Sequence, residues 1–186
     1  MSIETVKKQS EDKMKKAIQA LSDDFNGIRT GRASSALFEK IKVEYYGQQT
    51  PLNQVATISV PEPRLVVIQP WDRAVLTEIE KAIQKSELSV NPNNDGKVIR
   101  INIPPLTEER RKDLVKMTKN TAEQSRVAVR NARRDANEEI KKAKADAEMS
   151  EDEAKKATDE IQKVTDKHIE EINKVLEAKE KELLEV

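Results

Sequence analysis

The residues of this chain best placed to do chemistry are cations, and the chemistry they suit is the holding of anions rather than the making of bonds. Lys112, Lys116, Lys119, Arg126, Arg130, Arg133, Arg134, Lys141 and Lys144 all fall between Thr107 and about Ala147, a stretch without glycine or proline. Wound as an α-helix at roughly 100° per residue, they share about 100° of arc. Arg126, Arg130, Arg133 and Arg134 form its centre, and a guanidinium offers phosphate a planar, two-pronged contact that an ammonium cannot. The positions four residues to either side of them hold Ala122, Arg126, Val129, Arg130, Arg134, Asn137 and Glu138. Few acids are therefore placed for the usual pairing along a helix. The bland alternative is a solvated charged face. An unneutralised ridge points instead to a polyanion.

The sets of residues that catalysis needs are missing. The sequence has no phosphate-cradling glycine loop, nucleophile elbow or metal-ligand spacing, and a lone histidine, His168, with no cysteine to join it. Glu138 and Glu139 are adjacent, so they diverge around a helix and read as surface. These observations argue against an enzyme, and no cofactor, metal or small-molecule substrate is expected. His168 falls on an apolar stripe between Val164 and Ile172, where a core role is expected.

The ridge needs a stiff support. From Thr107, a capping residue followed by Glu108 and Glu109, the pattern allows one helix of ~40 residues and ~60 Å. Leu114, Thr121, Ser125, Ala128, Ala132, Ala136 and Ala143 gather roughly 145° from the ridge, giving a seam of small residues for packing. An earlier helix is marked by Ile3, Val6, Ser10, Met14, Ala17, Leu21, Phe25 and Ile28, with Ser2 as its cap. A later one starts at Ser150-Glu151-Asp152-Glu153 and carries Ala154, Ala157, Ile161, Val164, His168, Ile172, Val175, Leu176 and Leu183. Each has one apolar face, and a three-helix bundle buries all three.

Between the first two helices the pattern changes. All seven prolines lie between Ser34 and Pro105, with β-prone runs at Ile41–Tyr46, Val55–Val60, Leu65–Gln69 and Val98–Ile103. Asp72 caps a short helix ending near Lys85, and Asn93-Asn94-Asp95-Gly96 is a turn. Tyr45 and Tyr46, adjacent on a strand, face opposite ways, and Trp71 at the helix entry is expected in the core. The fold class is therefore α+β with two domains. Residues 1–30 and 105–186 form the discontinuous bundle, and 31–104 an inserted small, β-rich α/β domain. Two short crossings, at 30–32 and 103–106, make a hinge, since motion is the default at such a junction.

The chain has 186 residues, 37% charged and 3% aromatic, without cysteine. That favours surface-rich helices, excludes disulfides and suits a reducing compartment. No apolar run approaches membrane-spanning length, and the start lacks a targeting pattern, so a cytoplasmic protein is expected. The net charge of zero conceals segregation: residues 107–134 hold nine basic and four acidic groups, residues 146–186 seven and fourteen. Such a distribution can orient docking on a nucleic acid.

Four segments also carry a family resemblance: Arg29-Thr30-Gly31-Arg32-Ala33, Val43-Glu44-Tyr45-Tyr46-Gly47, Pro105-Leu106-Thr107-Glu108-Glu109-Arg110-Arg111-Lys112, and the run from Arg126 to Asn137. Together they resemble the ribosome recycling factors, over the whole chain. Ser35 departs from the proline many members have there, which touches only the local turn. The resemblance implies an L-shaped, tRNA-like outline. It implies a non-catalytic factor that binds the post-termination bacterial ribosome and, with elongation factor G and GTP, splits it to release mRNA and tRNA. Any GTP hydrolysis then belongs to the partner. It further implies that Arg111, Arg130 and Arg133 contact large-subunit rRNA, beside Arg126 and Arg134 of the ridge. Arg29, Thr30, Gly31 and Arg32, with Pro104, Pro105 and Leu106, would form the hinge. A monomer is expected. Two other readings compete. A coiled-coil scaffold predicts self-association, and a generic RNA-binding protein predicts good binding to naked RNA.

Overall fold

The computed structural model describes all residues except 1, 29, 89 and 186. The elements run α1 (Ile3–Asn26), β1 (Lys42–Tyr45), β2 (Gln48–Pro51), β3 (Ala56–Glu62), β4 (Leu65–Pro70), α2 (Leu76–Lys85), β5 (Pro92–Asn94), β6 (Ile99–Asn102), α3 (Glu108–Ala145) and α4 (Glu151–Leu184). The fold is α+β. The chain forms two compact units, one of Met1–Phe25 with Lys112–Glu185 and the other of Asn26–Arg111.

Hydroxyl caps start each of the three long helices. The Thr5 amide donates to Ser2 Oγ at 3.1 Å, the Arg110 amide to Thr107 Oγ1 at 3.1 Å, and the Glu153 amide to Ser150 Oγ at 3.1 Å. α1 buries Val6, Ser10, Met14, Ile18, Leu21 and Phe25 and stops at Asn26, short of the expected Ile28. α3 ends in a left-handed residue, Ala147 with φ 58°. There the Glu148 amide donates to the Ala143 carbonyl at 2.9 Å and the Ala147 amide to that of Lys144 at 3.2 Å. This pair of bonds satisfies carbonyls that a helix end leaves open.

Val6 of α1, Ala136, Ile140 and Ala143 of α3, Met149 of the turn, and Ala154, Ala157 and Ile161 of α4 form one apolar cluster. Buried polar groups mostly bond within their own helix. Thr118 Oγ1 donates to the Val115 carbonyl at 2.8 Å and Thr165 Oγ1 to that of Ile161 at 2.7 Å. His168 is buried, with Nδ1 2.7 Å from the Val164 carbonyl oxygen.

The second unit holds a β1–β2 hairpin and an antiparallel four-stranded sheet ordered β3-β4-β6-β5. β6 alternates cleanly: Ile99 and Ile101 point in, Arg100 and Asn102 out. With Val66 and Ile68 of β4, Ile79 and Ile83 of α2, and Phe38, they make the core. Tyr46 and Gly47, with φ of 48° and 80°, turn the hairpin, a two-residue geometry that asks for positive φ at both positions.

Trp71 departs from the expected core position: it is 67% exposed. Trp71 Nε1 donates to the hydroxyl of exposed Thr57 at 2.8 Å, which holds the indole on the outer side. Tyr45 packs half-buried on the core. Tyr46 is exposed, its ring 4.5 Å from that of Tyr45 in an edge-on contact, and its hydroxyl donates to Asp72 Oδ2 at 2.7 Å.

Candidate nucleic-acid interface

α3 carries Arg126, Arg130, Arg133 and Arg134 near its middle, within the helical unit. Its buried stripe is Leu114, Thr118, Ala122, Ser125, Val129, Ala132, Ala136, Ile140 and Ala143. Two residues assigned to the seam from sequence do not belong to it: Ala128 is exposed and Thr121 only half-buried. With Arg126 as origin, at roughly 100° per residue, the stripe centres near −80° and the cations span from about −20° to 80°. The ridge therefore adjoins the packing face instead of lying far round the helix. That explains why Arg126, Arg130 and Arg133 are half-buried while Arg134 is exposed.

Proximity to α4 gives two of these arginines partners there. Arg126 Nε donates to Asn173 Oδ1 at 2.9 Å, and Arg133 Nη1 approaches Gln162 Oε1 at 3.4 Å. Gln162 is held in turn by its own bond to Asp166 Oδ1 at 2.8 Å. Both contacts are to neutral amides, so they orient the guanidinium groups without neutralising them.

One feature corrects the expectation of an unneutralised ridge. Glu123 accepts from Arg126 Nη1 at 2.9 Å through one oxygen and from Arg130 Nη1 at 3.0 Å through the other. The two guanidinium groups hold its carboxyl below the usual range, Arg130 contributing most. Pairing at i±4 does not reveal it, because Glu123 stands three residues before Arg126 and seven before Arg130. Both intervals bring residues to one face of a helix. The Arg134 side chain, among the described residues, makes no hydrogen bond or ion pair.

Arg111 is not brought together with these four. It belongs to the other compact unit, and its half-buried side chain leaves Nε buried without a hydrogen-bond partner. Of the residues assigned to the hinge, Arg29 lies outside the described residues. Thr30 is buried, Leu106 is half-buried, and Arg32, Pro104 and Pro105 are exposed. Gly31 has φ +82°, and a Cβ there would stand 3.3 Å from the Leu106 nitrogen. Only glycine meets both conditions without strain.

A family model described as "Ribosome recycling factor" matches residues 21–184. The chain belongs to the ribosome recycling factor family. It is 65% identical over 183 residues to the ribosome-recycling factor of Treponema denticola, covering 98% of this chain and 99% of that one. The factor from Syntrophomonas wolfei is 55% identical over 184 residues, 99% of this chain and all of that one. Among solved structures, a solution structure of a ribosome recycling factor superposes with a TM-score of 0.85 at 50% identity, covering 100% of this chain and 99% of that chain. A second presents models for the T. thermophilus ribosome recycling factor and the E. coli elongation factor G bound to the E. coli post-termination complex. Its TM-score is 0.71 at 48% identity, covering 99% of this chain and 100% of that one. The arginine ridge is thus a feature of a translation factor, not of an enzyme.

Proposed function

We propose that the chain binds the post-termination ribosome by laying α3 against large-subunit rRNA and, with elongation factor G and GTP, splits the ribosome into subunits. Arg126, Arg130, Arg133 and Arg134 supply phosphate contacts. Arg111 adds a further contact outside the ridge. The observation that carries this reading is a row of arginines on one helix, two of them oriented by amides of α4, in a chain matched along its length by recycling factors. Contacts of this type position a protein by shape and backbone without reading sequence.

The inserted domain, residues 31–104, turns against the bundle, residues 1–30 and 105–186, at Arg29–Arg32 and Pro104–Leu106. The left-handed Gly31 supports a chain path specified at that point. Fluorescence distances between the two units, in free protein and on the ribosome, test this: one unchanging distance refutes the hinge.

The ridge is tested by Arg133→Ala. Each fully engaged arginine–phosphate contact is worth about 1.5–3 kcal/mol. The variant should bind large subunits about tenfold or more weakly, with a salt slope reduced by about one. Unchanged affinity and slope refute the assignment. The overall activity is read by polysome breakdown with and without elongation factor G and GTP.

A further inference from the structure

Within the cationic arc, between Lys112 and Lys144, stands one carboxylate, that of Glu123. The other acids of this stretch, Asp113, Asp135, Glu138 and Glu139, fall outside the arc at roughly 100° per residue. Glu123 is half exposed, with its side chain at 52%, so burial does not dictate its place. Its two oxygens are divided between Arg126 and Arg130, as a bridging phosphate's would be.

The two arginines are left in different states. Arg126 gives Nη1 to Glu123 and Nε to Asn173, so it is held from both sides. Arg130 gives Nη1 to Glu123 and, among the described residues, nothing else. Its Nε–Nη2 edge remains available for a two-pronged contact.

We propose that Glu123 is a specificity-determining residue of the ridge: a tethered competitor that occupies the anion seat between Arg126 and Arg130. The inference rests on the ridge reading above. A flexible polyanion can adapt to the seat between two cations, but there it must displace a carboxylate already bonded to both. A rigid RNA surface places its phosphates where its own shape dictates. It can meet Arg130 along the open edge while Glu123 stays in position. The competitor therefore weakens indiscriminate binding more than binding to the shaped target.

The test measures equilibrium binding of the full chain to poly(U) and to purified large ribosomal subunits across a salt series. The proteins are the parent, Glu123→Gln and Arg130→Ala, with helicity checked for each. Glu123→Gln should bind poly(U) about threefold or more tightly, with a slope steeper by about 0.7 for the charge uncovered on a single strand. Its affinity for the large subunit should change by less than about twofold, since the target leaves Glu123 undisturbed. Poly(U) binding that is unchanged or weaker, or an equal gain on both ligands, overturns the competitor role. If Arg130→Ala binds large subunits as the parent does, the ridge reading fails and this inference falls with it. If Arg130→Ala weakens that binding and Glu123→Gln still gains nothing on poly(U), only the competitor role is lost.

Discussion

Replacing Gly31 with alanine separates two costs that the structure assigns to different glycines. Gly31 and Gly47 have nearly the same backbone, with φ of +82° and +80°. An alanine held in the left-handed region loses roughly 1 kcal/mol. At Gly47 that is the whole effect, because nothing lies within 4 Å of an added methyl. At Gly31 the methyl would stand 3.3 Å from the Leu106 nitrogen and 3.4 Å from its Cγ. The first is a backbone atom, so the chain itself must move, which adds about 1 kcal/mol or more. Gly31→Ala should therefore cost about 2 kcal/mol and Gly47→Ala about 1 kcal/mol.

Both glycines belong to the unit Asn26–Arg111, and so does Trp71, the one tryptophan of the chain. Its fluorescence follows that unit, whereas far-UV circular dichroism is dominated by α1, α3 and α4. For a unit of this size each kcal/mol lowers the melting midpoint by about 4–8 °C. The fluorescence midpoint should fall about twice as far for Gly31→Ala as for Gly47→Ala. Equal falls would refute the close approach of Leu106. A fall in the helical signal without one in fluorescence would place the damage in the wrong unit.

Two further outcomes follow from local geometry. Ala147→Gly should stabilise the helical unit by about 1 kcal/mol, because glycine occupies its left-handed cap without the steric cost alanine bears; circular-dichroism melting reads the gain, and no gain refutes the cap assignment. The phenol of Tyr46 is held above its usual titration range by donating to Asp72, whose own carboxyl is lowered first by the Ala74 amide and then by Tyr46. The bond's contribution is therefore present below the ordinary phenol range and lost as pH rises through the raised value. Asp72 contributes above the ordinary carboxylate range, and that contribution is lost as pH falls through its lowered value. Ultraviolet titration should show one phenolate forming late, and Asp72→Asn should bring it earlier; an unmoved curve refutes the coupling.

The rods were legible because their signals are local. Ser2, Thr107 and Ser150 stand where a hydroxyl must meet an open amide, and apolar residues recur at helical intervals behind them. β2 and β5 were not, because Gln48-Gln49-Thr50-Pro51 and Pro92-Asn93-Asn94 have little strand character of their own and take it from β1 and β6. The α3 seam was misplaced by following small residues. Thr118, Ala122 and Val129 belong to it, and Val129 shows that spacing rather than size sets the buried face. The arginines were visible at once. Their amide partners Asn173 and Gln162 come from α4, which no interval along α3 can reveal. Glu123 could have been found by considering every near-axial interval instead of one. Residue type alone places Trp71 inside, whereas its bond to the exposed Thr57 holds it at the surface.

The bundle's interior hydroxyls have a consequence for how its rods are aligned. The hydroxyls of Thr118 and Thr165 bond along their own helices, so those bonds carry no instruction about which residue of a neighbour should sit opposite. Ser125 is different: its Oγ donates to the Ala17 carbonyl of α1 at 3.3 Å. Among the described residues, and apart from the fit of apolar side chains, that hydroxyl is an interior mark against which α1 is set lengthwise on α3. It lies beside Arg126, so the alignment of the rods is fixed at the level of the arginines. Drift from thermal motion or mutation would accumulate toward the far ends first and reach the cationic face last.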